Sequence, residues 1–177
     1  MDILTIGRSS VDLYSQNIGA DFVDIKGFNA FVGGSPLNIA VSAQRLGLQS
    51  ALLTALGNDK TGDFIYHFLN IEKVNTSFIP RIDGARTSAV VLGIEPPDRF
   101  PLVFYRDNAA DSQITIDHVM AANIGQFRLM EVSGTALNIE PSRSAVFYAV
   151  EQAVEQGVQV VLDIDFRADQ WHDIRSF

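Results

Sequence analysis

Residues 158–164 read Val-Gln-Val-Val-Leu-Asp-Ile, a nearly continuous apolar run rich in β-branched residues and opened by Gly157. A run of this kind reads as a strand buried on both faces, as in parallel sheets covered by helices. The chain must then supply neighbouring strands and two helical layers, and its remaining patterns do so. Residues 3–7 predict a short buried strand. Residues 36–46 predict a helix, with Ile39, Ala40, Ala43 and Leu46 at helical spacing, Ser35 as N-cap, Pro36 at the first position and Gly47 as the stop. Residues 50–56 and 127–133 predict strands, and 61–70, 116–123 and 141–156 predict helices. The alternation argues for an α/β fold with a largely parallel sheet flanked by helices.

Two regions break the alternation. Residues 14–31 carry Phe22, Ile25, Phe28 and Phe31 between glycines, and residues 87–106 hold two β-rich runs joined by Pro96-Pro97-Asp98-Arg99. They predict short strands and a hairpin, a small β lid inserted on the α/β body. A parallel strand at 158–164 followed by so few residues would leave a sheet edge unpaired, so the chain reads as a fragment or as a domain completed elsewhere.

Composition narrows the partners. Thirteen basic against 21 acidic residues give a net charge of −8, which disfavours nucleic acid. No run approaches the ~18 apolar residues of a membrane span, and no basic leader opens the chain. The absence of cysteine removes disulfides, thiolate metal sites and thiol nucleophiles, and fits a cytoplasmic location. Ten of the 13 basic residues are Arg, the side chain suited to carboxylate and phosphate.

One segment carries the clearest chemistry. In Gly33-Gly34-Ser35-Pro36-Leu37-Asn38-Ile39-Ala40 the glycines let backbone come close to a ligand. The helix behind adds the positive end of its dipole, and Asn38 can donate and accept. This suits a polyhydroxylated or anionic small molecule, and equally an ordinary Gly-rich turn with a cap. It is neither a P-loop nor a Gly-x-Gly-x-x-Gly dinucleotide loop.

That segment, followed at fixed spacing by Gly47 and Gly57, resembles the N-terminal signature of the ribokinase-like (PfkB-type) carbohydrate kinases. Residues 5–12, Thr-Ile-Gly-Arg-Ser-Ser-Val-Asp, resemble the family's first strand running into a sugar-binding Asp. Residues 57–62 resemble its Gly-x-Asp-x-x-Gly turn, and Asp163-Ile164-Asp165-Phe166-Arg167 with Trp171 its Asp-x-Asn-x-Arg…Trp segment, with Asp165 where Asn is commoner. Residues 7–14, 99–111 and 162–167 narrow the likeness to kinases of deoxy-keto-gluconates. The implied substrate is 5-dehydro-2-deoxy-D-gluconate of inositol catabolism, phosphorylated by ATP with Mg²⁺ on a primary hydroxyl; 2-keto-3-deoxygluconate or another sugar is the alternative. A non-catalytic sugar-binding module is the alternative of another class.

The resemblance implies roles residue by residue. Asp12, expected just after the first strand, would hold sugar hydroxyls with Gly33, Gly34 and Asn38. Tyr105 and Arg106 would close the lid, with Arg106 over the sugar site to meet a substrate carboxylate and Arg86 as a second choice; a solvated edge charge is the plain alternative. Asp163 and Asp165 are expected to point the same way at the end of their strand, where carboxylates could hold Mg²⁺. Asp165 and Arg167 would face the nucleotide, with Arg167 stabilising a transferring phosphoryl group; an ion pair between them is the alternative. His67, His118 and His172 share no ligand spacing and read as surface or capping residues, and the Phe residues read as core. The chain holds no Gly-Ala-Gly-Asp run, the family's source of the general base, and no Asn-x-x-Glu segment. The likeness therefore implies the N-terminal part of one ribokinase-like domain over residues 1–177, inactive alone, with the lid clasping a second copy in a homodimer.

Overall fold

The computed structural model describes residues 1–168 together with Trp171, Asp173 and Arg175; His172 lies outside the described residues. In chain order the first elements are β1 (Ile3–Ile6), β2 (Ser10–Ser15), β3 (Phe28–Gly33), α1 (Ser35–Arg45), β4 (Ser50–Leu53), β5 (Leu56–Gly57), α2 (Lys60–Ile71) and β6 (Arg81–Ile82). Then follow β7 (Ser88–Leu92), β8 (Leu102–Tyr105), α3 (Ile116–Ala122), β9 (Leu129–Ser133), α4 (Ser142–Glu155) and β10 (Gln159–Asp163). The main sheet has the order β10-β9-β1-β4 and every pairing in it is parallel. The lid is a second sheet of order β3-β2-β7-β8, with a parallel pair at its centre and antiparallel pairs outside.

Period-two alternation splits the main sheet between two cores. Leu4, Ile6, Leu53, Met130 and Val132 face Val119, Ala122, Ala145, Val146 and Ala149 of α3 and α4. Leu52 faces the other way, among Leu37, Ala40 and Val41 of α1 and Ile65 and Leu69 of α2. The helix over 116–122 opens with a reciprocal cap, in which Thr115 N–H reaches His118 Nδ1 at 3.1 Å. His118 is thus a capping residue, and His67 is exposed.

Several expectations are corrected. β10 is the edge of the main sheet, and Val160, Val161 and Leu162 are largely exposed rather than buried on both faces. Among the described residues only β9 pairs with it, so one side has no neighbour to cover it. The 50–56 run divides: Ser50–Leu53 joins the main sheet, while Leu56–Gly57 pairs with Arg81–Ile82. Ser35 lies inside α1, and the N-cap is Gly34, because the Ser35 hydroxyl is drawn to Asp163 instead. Phe28, Phe31, Phe64, Phe100 and Phe147 are exposed, not core, because the lid and the outer helix faces leave them uncovered.

Asp59 ties the body to the lid. It caps α2 by accepting from Gly62 N–H at 2.7 Å, and it accepts from Thr87 N–H at 2.9 Å and Thr87 Oγ1 at 2.8 Å. Burial works against its charge, but these bonds and Arg81 hold its carboxyl below the ordinary value. Asp59→Ala is expected to lower the unfolding free energy by roughly 1–2 kcal/mol, the scale of a lost cap. Urea denaturation at pH 7 measures it, and an unchanged midpoint would contradict this account.

Candidate functional site

A cleft of about 640 Å³ opens where the lid meets the C-terminal ends of the main-sheet strands. The lid contributes Asp12 and Tyr14 from β2, the body contributes Gly34 and Asn38 at the start of α1, Arg8, Asp165 and Arg167 stand at the strand ends, and the cleft continues along α1 as far as Leu46 and Leu48. The joint between the layers is Gly33-Gly34. A Cβ at Gly33 would run into the Asp12 carboxylate. Gly34 has φ of +106°, in the region that favours glycine, and a Cβ there would strike the Arg8 carbonyl. The pair therefore leaves room for the Asp12 carboxylate and presses the first turn of α1 against the backbone of Arg8. Ser10 Oγ donates to Asp12 Oδ1 at 2.7 Å and fixes that carboxylate.

Charged groups crowd the strand ends. Ser35 Oγ donates to Asp163 Oδ2, joining the start of α1 to the end of β10. Asp165 Oδ1 pairs with Arg167 at 2.8 Å, and its Oδ2 is buried without a hydrogen-bond partner among the described residues. Beneath them, in the register row Val161–Glu131–Thr5–Leu52, Glu131 is 3% exposed and neither carboxylate oxygen has a hydrogen-bond partner among the described residues. Burial, reinforced by Asp163 and Asp165, pushes its carboxyl up to about 8. On the lid side Arg106 forks onto Asp111 Oδ2 through Nε at 3.0 Å and Nη2 at 2.6 Å, and Ser88 Oγ donates to the other oxygen of Asp111.

The structure thus gathers Asp12, Gly33, Gly34, Asn38, Asp165 and Arg167 at one cleft. Asp12 is not just past the first strand; it is the third residue of β2, paired with Phe31 and Val90 in the lid. Asp163 and Asp165 do not share a strand either: β10 ends at Asp163, and Asp165 sits beyond it with φ of +33°. Arg86 and Tyr105 are exposed and lie outside the cleft walls. Arg106 is also outside them, turned inward to Asp111 and to the Thr135 carbonyl at 3.3 Å. Asp163 is engaged by Ser35 and Asp165 by Arg167, and no cluster of three or more potential metal ligands occurs among the described residues.

Sequence reasoning missed Arg8, Ser35, Asp111 and Glu131. Glu131 did leave a signal: a lone carboxylate inside the apolar strand Leu129-Met-Glu-Val-Ser133, where a charge is costly unless it has a task.

Comparison with known proteins gives the family and the fold. Residues 2–176 match the pfkB family carbohydrate kinases. A 5-dehydro-2-deoxygluconokinase of Bacillus anthracis is 39% identical over 172 residues, covering 96% of this chain and 52% of the relative. A fructokinase from Xylella fastidiosa superposes with a TM-score of 0.87 at 25% identity, over 98% of this chain and 53% of that one. An uncharacterized sugar kinase from Pyrococcus horikoshii, solved in complex with ATP, superposes at 0.89 with 25% identity, over 98% of this chain and 56% of that one. The chain spans about half the length of the curated relatives it matches.

Glu131 gives a pH prediction. Its folded value of about 8 lies above the ordinary 4.5, so between these the folded chain holds a proton that the unfolded chain has released. The stabilisation is complete below pH 4.5 and is lost as pH rises towards 8. At about 1.4 kcal/mol per unit the loss is bounded near ~5 kcal/mol. Glu131→Gln is expected to remove this slope and to match or exceed the parent in stability at pH 9. Urea midpoints at pH 5, 7 and 9 check it; parallel curves for the two proteins would refute it.

Proposed function

Because the chain belongs to the pfkB family of carbohydrate kinases, we propose that it forms the sugar-binding half of an ATP-dependent kinase. Its substrate is 5-dehydro-2-deoxy-D-gluconate, phosphorylated on a primary hydroxyl. The observation that carries the reading is the Asp12 carboxylate. It is held by Ser10 over a glycine that leaves it room, and it faces a cleft whose opposite wall is the first turn of a helix. A carboxylate so placed accepts two hydroxyl hydrogen bonds from a sugar, and Asn38 on the facing turn supplies a donor and an acceptor.

Arg167 lines the same cleft, with its side chain about half exposed, and its pairing with Asp165 orients the guanidinium. In the proposed complex it meets the γ-phosphoryl group of ATP, where fixed positive charge stabilises the transition state. ATP as donor is supported by the relative solved with it, and the choice of sugar by the 39% identity to a kinase of that substrate. A Mg²⁺ ion would be bound chiefly by the nucleotide phosphates, since no cluster of three or more potential metal ligands occurs among the described residues. On the lid face opposite the one that carries Asp12, Val103 and Tyr105 are exposed, which supports clasping of two lids in a homodimer.

The test is ADP release by the native gene product, purified from its own cells, over a panel of keto-deoxy sugar acids and neutral sugars. Turnover is expected with 5-dehydro-2-deoxy-D-gluconate. Asp12→Asn is expected to lower kcat/KM roughly 10–100-fold, the scale of a lost charge-assisted bond. Turnover of neutral sugars alone would remove the acid substrate, and saturable sugar binding with no turnover would favour a binding module.

A further inference from the structure

The charged groups around the cleft differ in how fully they are engaged, and Asp163 takes the Ser35 hydroxyl. Three cations, Arg8, Arg106 and Arg167, stand near three carboxylates, Asp12, Asp111 and Asp165. Arg106 is forked onto Asp111, and Arg167 is paired with Asp165. That leaves Arg8 and Asp12, which form no ion pair with each other among the described residues. Asp12 holds the hydroxyl of Ser10. Arg8 is 6% exposed, it lines the cleft, and its Nε and Nη1 have no hydrogen-bond partner among the described residues. The centre of the Phe104 ring in β8 lies 5.1 Å from its guanidinium carbon, a cation–π contact.

A guanidinium that has lost water and gained no hydrogen bond at two of its nitrogens is costly to maintain. Burial, followed by the nearby positive charge of Arg106, lowers its proton affinity against the pull of Asp111, Asp12 and Asp165. Structural arginines in this chain are treated differently: Arg106 and Arg81 each end on a carboxylate and a backbone carbonyl. The exception stands in the wall of the cleft.

We propose that Arg8 is the specificity-determining residue that takes the carboxylate of the substrate, while Asp12 takes its hydroxyls at the other end. This rests on the sugar-kinase reading of the cleft and replaces the lid residue Arg106 in that role. A ligand with a polyol at one end and an anion at the other satisfies both uncommitted groups at once. A neutral sugar satisfies Asp12 alone and leaves Arg8 uncompensated.

The experiment is isothermal titration of the native gene product with 5-dehydro-2-deoxy-D-gluconate and with its primary amide, which differ in charge and little else. The parent is expected to prefer the acid by roughly 10–100-fold, as a charge-assisted fork implies. Arg8→Gln is expected to abolish that preference with amide binding kept, and Arg8→Lys to retain part of it. Asp12→Asn is expected to weaken both ligands equally. A parent that binds acid and amide alike overturns the role of Arg8 while the sugar site stands, and this readout needs no variant to fold. Acid preference surviving in Arg8→Gln overturns it too. Binding of neither ligand removes the sugar-site reading and the role of Arg8 with it.

Discussion

Two adjacent glycines hold the functional geometry together. β3 of the lid ends at Gly33 and α1 of the body begins at Ser35, so the whole change of layer happens across Gly33-Gly34. Both positions are closed to a side chain, one by the Asp12 carboxylate and the other by the Arg8 backbone. Steric exclusion at these two atoms sets how near the lid strand, the helix start and the end of β1 can lie. The cleft exists because that distance is small.

Around the joint, the molecule spends most of its charges on itself. Asp59 fastens α2 to Thr87, Asp111 secures Arg106, and Asp163 takes the hydroxyl of Ser35. Each of these lies in a motif that looks functional when read as letters, and each acts by positioning backbone or a neighbouring side chain. The groups left over, Arg8, Asp12 and one oxygen of Asp165, are those whose surroundings do not complete them. Glu131 sits under the same wall, where burial first and the charges of Asp163 and Asp165 second favour its protonated form.

The sequence made the layers legible because they follow from local rules. The spacing of Ile39, Ala40, Ala43 and Leu46 marked the helix, although its buried stripe is Leu37, Ala40, Val41 and Ala43 and Leu46 is exposed at the C-cap, and the apolar run from Ile3 to Gly7 marked a buried strand. The Gly-Gly turn marked the cleft for the same reason, since only glycine serves there. What local pattern could not carry was which partner a charge finds across the fold. Arg106 and Arg8 are both arginines beside aromatic strands, and only the three-dimensional register gives Asp111 to one and leaves the other in the wall. Nor could it carry exposure of the Phe residues, because apolar content says nothing of whether a second layer covers a lid.

The Ser35–Asp163 bond joins residues 128 positions apart. On a ribosome, where the N-terminal part emerges first, the glycine turn and Asp12 are available long before the strand that carries Asp163. The lid and α1 can form early, but the cleft gains its far wall only when β10 docks beside β9. Loop closure over that span is among the slow, entropically costly steps of such a topology. Completion of this wall therefore follows formation of the lid and α1, and the nascent chain carries an open cradle until β10 arrives.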